Sequence, residues 1–134
     1  MVKEQIFKKE YALELLGIAE GDLRSSRVLL KDEGGRAENV CFHAQQAIEK
    51  GLKALLCHLE IAVPFTHNLE VLASKLPKSF TLPAIGDFET LAEYATIRRY
   101  EEGVVELDKK DLELTYKAAS DFIAWVKKKI ALAK

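Results

Sequence analysis

The segment from Cys41 to Leu56 constrains the chain more than any other. On a 3.6-residue period, Ala44, Ile48, Gly51, Leu52, Leu55 and Leu59 share one apolar side of a helix. Gln46, Glu49, Lys50 and Lys53 stand at i, i+3, i+4 and i+7 and form a polar stripe. The apolar side predicts core, so further amphipathic helices must cover it. The polar stripe predicts either a solvated surface or a site.

Those helices are present in the pattern. Over about 9–31, Ala12, Leu15, Leu16, Ala19, Leu23, Ser26 and Leu30 keep an i, i+3/i+4 rhythm. Gly17 and Gly21 weaken this helix by about 1 kcal/mol each relative to alanine, and their spacing suggests close approach by another helix. Asp32-Glu33-Gly34-Gly35 ends it, with glycines suited to a left-handed turn. The second helix is expected over about 37–60. Thr66 is placed to cap a short helix carrying Leu69, Leu72 and Leu76, and a loop containing Pro77 and Pro83 follows. A fourth helix is expected over 87–100, then a connector over 104–107. Asp108 is the expected N-cap of a last helix with Leu112, Tyr116, Ala119, Phe122, Ile123, Val126 and Ile130 inward. No strand alternation stands out. The expected fold is all-α, an up-and-down bundle of about five helices, three of them long, in one domain over 1–134.

Charge narrows the function classes. Twenty basic residues face 21 acidic ones, for a net charge of -1, so attraction to nucleic acid or membrane must come from a local patch. Cys41 and Cys57 fall many turns apart in one helix and cannot bridge each other there; buried reduced thiols are expected. Cys57 and His58 point about 100° apart on a helix, which disfavours joint metal ligation. No metal or cofactor is expected. The charged N-terminus and the lack of a long apolar run lead to a cytoplasmic expectation.

No P-loop, dinucleotide fingerprint or nucleophile elbow occurs, so a site must be assembled from several helices. The candidates are Gln46, Glu49, Lys50 and Lys53, the histidines His43 and His67, and Arg98-Arg99-Tyr100. Each has a plain reading beside the functional one. Glu49 and Lys53 form a favourable i, i+4 pair on a wet helix face, or the stripe contacts phosphate through its lysines. The histidines pack or cap, or they bind. Two arginines suit a helix C-terminus, or with Tyr100 they hold phosphate and stack a base.

The run from Phe42 to Leu56, with its Gln-Gln-Ala-x-Glu-Lys-x-Leu-Lys-Ala core, resembles the central helix of the HEPN family (higher eukaryotes and prokaryotes nucleotide-binding). Ala19 to Leu23, Pro64 to Leu69, and Arg99-Tyr100 recur in the family's order, so the resemblance covers essentially the whole chain. It implies a helical bundle that dimerises and often partners a minimal nucleotidyltransferase in toxin–antitoxin-like pairs. Some members are ribonucleases with an Arg-x(4–6)-His motif near the last helices. This chain departs from that motif: no histidine follows Arg98 and Arg99, and Glu101 replaces the common proline after Arg-Tyr. Arg36 and His43 have suitable spacing but sit at the start of the second helix, and their spacing is read as coincidence. The expectation is a non-catalytic, homodimeric protein that binds a nucleotide, an RNA phosphate or a nucleotidyltransferase. A rearranged ribonuclease toxin and a purely structural dimerisation module are the alternatives.

Overall fold

A computed structural model describes residues 3–34, 36–83 and 109–132. Four helices form in this part: α1 (Tyr11–Lys31), α2 (Ala37–His58), α3 (Leu69–Ser74) and α4 (Lys109–Leu132). The all-α fold and its three long helices are as expected. The helix expected over 87–100, the connector over 104–107 and the Asp108 cap lie outside the described residues.

α1 and α2 make an antiparallel pair, and polar contacts along the seam fix its register. Ser26 Oγ donates to the Val40 carbonyl at 2.9 Å within the core. Asp22 meets His43 at 3.2 Å. At the far end, the Cys57 thiol donates to the Lys8 carbonyl at 3.0 Å. Burying these groups is tolerable because each has a partner. Ala12, Leu15, Leu16 and Ala19 of α1 join Ala44, Ile48, Leu52, Leu55 and Leu56 of α2 in one core with Ala119, Phe122, Ile123 and Val126 of α4.

At Gly51 the side chains of α4 press close against the backbone of α2. A Cβ built there would lie 2.8 Å from Ile123 Cδ1 and 3.6 Å from both Phe122 Cε2 and Val126 Cγ2. The small residues that admit a neighbouring helix are therefore not Gly17 and Gly21, around which a Cβ would meet nothing within 4 Å. Periodicity explains the reversal: Gly17 lies on the side of α1 opposite Leu15, Leu16 and Ala19.

The ends of the helices differ from expectation in instructive ways. Asp32 stops α1 in extended backbone (φ -85°, ψ 123°). At the end of α2, Glu60 takes φ 59°. Its N–H reaches the Cys57 carbonyl and the Ile61 N–H reaches that of Leu56, the paired bonds of a Schellman turn with glutamate in the usual glycine position. α3 is capped by Asn68, whose side chain accepts from the Val71 N–H at 3.1 Å, and not by Thr66. Thr66 instead accepts from the Asn68 N–H, bending the chain into the cap. One pairing has no sequence signature: Glu4–Gln5 and Val63–Pro64 form a two-residue antiparallel ladder, Glu4 opposite Pro64 and Gln5 opposite Val63. With the Phe65 N–H bonded to the Lys3 carbonyl at 2.7 Å, it ties the N-terminal arm to the segment that carries His67.

Both thiols are buried and free. Burial, reinforced by the nearby Glu38 carboxylate and partly offset by a hydrogen bond with Thr115, pushes the Cys41 thiol up to about 11. Burial also raises Cys57. An unfolded chain ionises its thiols near pH 9 while folded Cys41 stays protonated, so the unfolded state gains stability as pH rises. Stability should therefore fall from about pH 9 to about pH 11, by about 2–3 kcal/mol from Cys41. Denaturant melts across this range check it, and Cys41→Ala should flatten the slope.

Candidate functional site

The polar stripe of α2 is not a wet face. Glu49 is fully buried, although its neighbours along the stripe reach solvent. A carboxylate without water needs compensating groups, and three are present. Lys53 Nζ donates to Glu49 Oε2 at 3.1 Å, the i, i+4 bond that the spacing predicts. Lys50 Nζ stands 3.8 Å from the same oxygen. His67, at the turn into α3, brings Nδ1 to 3.1 Å from Oε1 and 3.0 Å from Oε2.

The cluster is graded from inside to outside. Side-chain exposure is 0% for Glu49, 15% for Lys53, 26% for Lys50 and 81% for His67. An ionised carboxylate only accepts, so His67 Nδ1 carries the hydrogen and Nε2 is left to face outward. Lys53 is consumed by the carboxylate. Lys50, beyond hydrogen-bond distance, keeps its donors for another partner.

His43 behaves differently. It pairs with Asp22 through Nδ1 at 3.2 Å, with both side chains partly exposed, and its ring packs edge-on to Phe42 at 5.4 Å. On the helical period His43, Gln46, Lys50, Glu49 and Lys53 cover one side of α2, with half-buried Gln46 between the two histidine pairs. The structure thus gathers His67 with Glu49, Lys50 and Lys53, and extends that side through Gln46 to His43. Arg98, Arg99 and Tyr100 lie outside the described residues. Arg36, whose spacing to His43 mimics a ribonuclease motif, has its guanidinium 2.7 Å from Glu38. No three or more His, Cys, Asp or Glu converge to hold a metal ion among the described residues.

Two residues beside the cluster were not among the candidates, although both lie in segments that carry the family resemblance. Asp22 orients His43 from 21 residues away, a separation that no local pattern signals. Phe65 is 54% exposed, two residues before His67. Its place in the Pro64-to-Leu69 segment that carries the family resemblance was the available cue.

The HEPN domain model matches residues 12–129. The chain belongs to the HEPN family. TT1696 from Thermus thermophilus is similar in structure, with a TM-score of 0.74 and 25% identity, covering 89% of this chain and 98% of that one. ST0689, an archaeal HEPN homologue, gives a TM-score of 0.64 at 26% identity, over 89% of this chain and 97% of the other. No curated protein matches the sequence. Among the described residues no helix of this HEPN domain is long and apolar enough to cross a membrane.

Proposed function

We propose that this HEPN protein is a non-catalytic binding module for RNA or nucleotide phosphate, with Lys50 and His67 making the contact. The supporting observation is the buried Glu49 carboxylate, which gathers two ammonium groups and one imidazole. Two lysines against one carboxylate leave a local positive charge in a protein whose net charge is -1. Because Glu49 is held inside α2, the cationic groups are positioned before a ligand arrives, which lowers the ordering cost of binding. Exposed Phe65 adds an aromatic face suited to base stacking. Homodimerisation and pairing with a minimal nucleotidyltransferase, in a toxin–antitoxin-like arrangement, belong to the same proposal.

Calorimetric titration with a short single-stranded oligoribonucleotide lacking terminal phosphates tests it. Lys50→Ala with His67→Ala should weaken binding by about tenfold or more, about 1.4 kcal/mol, with no change in fold by circular dichroism. Equal affinity in the variant would remove the cluster from the binding surface.

One observation favours a second reading. A buried carboxylate bonded to Nδ1 of an exposed histidine is an arrangement for proton transfer at Nε2, as a ribonuclease requires. Cleavage of labelled RNA by the wild-type protein, lost in His67→Asn, would replace the binding reading. Intact RNA across a pH series would retire it.

A further inference from the structure

A cleft lies between α1 and α4, apart from the Glu49 cluster, and is lined by no residue of α2. Its volume is about 300 Å³, at the lower edge of the range for small-molecule sites. Leu23 and buried Ile123 give it an apolar floor. Arg24 and Arg27 of α1 face Tyr116, Ser120 and Lys127 of α4 across it.

The ion pairing here is unusual. On an isolated helix Glu20 would pair with Arg24 four residues later. Instead, the Glu20 carboxylate accepts from Lys127 Nζ at 3.0 Å, bridging the two helices. Arg24 and Arg27 are left exposed, with no hydrogen bond or ion pair among the described residues. The lining therefore holds three cations against the single carboxylate of Glu20, a local charge of +2.

We propose that this cleft binds a phosphate monoester carried on a small organic body, with Arg24 and Arg27 clamping the phosphate. Guanidinium groups three residues apart share a helix face and match phosphate oxygens with paired donors. The hydroxyls of Tyr116 and Ser120 supply further donors from the opposite wall. A phosphate monoester carries a charge of about -1.5 to -2 near neutral pH, close to the charge of the lining. A carboxylate or a phosphodiester leaves half of that charge unanswered. Leu23 and Ile123 take the apolar part of the ligand. The site shares no residue with the Glu49 cluster and stands whether or not that cluster binds RNA.

The probes are adenosine monophosphate, adenosine, inorganic phosphate and a 5′-phosphorylated oligoribonucleotide, titrated calorimetrically into the whole chain. Adenosine monophosphate should bind the wild-type protein more tightly than adenosine or inorganic phosphate. Arg24→Gln with Arg27→Gln should weaken it by about tenfold or more, whereas Lys50→Ala with His67→Ala should leave it unchanged. Both arginines are exposed, and an unaltered thermal melt will show that the variant is folded. Tighter binding of the phosphorylated oligonucleotide identifies an RNA end as the source of the phosphate, and the reverse order identifies a free mononucleotide; both support the site. Equal affinity for adenosine and adenosine monophosphate overturns the phosphate clamp. Equal affinity for inorganic phosphate overturns the role of the apolar floor. Unchanged binding in the double arginine variant overturns the location.

Discussion

Glu49→Ala is expected to lower the unfolding free energy by about 1–3 kcal/mol, because it removes charge-assisted hydrogen bonds and leaves the mostly buried Lys53 without its acceptor. Lys53, at 15% exposure, would lose its hydrogen-bonded carboxylate, and Lys50 would lose its nearest anion. His67 would lose the bonds that fasten the turn before α3 to α2. The exposed pair Lys117–Asp121 is a natural control, at 2.8 Å and also four residues apart. Breaking it with Asp121→Ala should cost about 0.5 kcal/mol or less, since solvent screens such pairs. Trp125, the single tryptophan, packs against Phe122 and Phe80 and reports unfolding by fluorescence in denaturant. Equal midpoint shifts for the two variants would mean that Glu49 is not a buried organiser.

Gly51→Leu should destabilise the protein by about 3 kcal/mol, the upper end of the usual cost of overpacking. The first added carbon already meets Ile123 Cδ1 at 2.8 Å, and the remaining three would have to displace Phe122 and Val126. Phe122 and Val126 are fully buried, so neither has space to move into. Gly51→Ala is the informative companion. Ile123 Cδ1 is the end of a flexible side chain, and alanine gains about 1 kcal/mol of helix propensity, so its net effect should be far smaller. A leucine variant melting like the wild type would contradict the close α2–α4 approach.

The contrast between Gly51 and the Gly17–Gly21 pair shows what was legible in the sequence. Apolar periodicity located α1, α2, α3 and α4 and the inward residues of α1 and α4, but on α2 it gave one face and left out Ala47, Ala54 and Leu56, which are buried because the bundle packs around more than one side of that helix. Which small residue admits a neighbour is decided by tertiary placement, and the glycine pair with the more suggestive spacing faces open space. The site followed the same division. The Glu49–Lys53 bond was readable from its i, i+4 spacing. The burial of Glu49 was not, because it depends on the whole packed bundle around a charge that sequence logic assigns to the surface. Nor was the meeting of Glu49 with His67, 18 residues on, since the turn that aims the imidazole is built by Thr66 and Asn68 together.

We propose that Glu49 holds His67 and Lys50 as a ligand-contacting surface, and the protein's three histidines allow a direct measurement. A spectrum of the imidazole nitrogens, recorded while the oligoribonucleotide is added, separates His67 from His43, paired with Asp22, and from buried His58. The Nε2 signal of His67 should shift progressively and saturate with the calorimetric affinity, while that of His58 stays fixed. Saturable RNA binding with the His67 signals unmoved would contradict the claim.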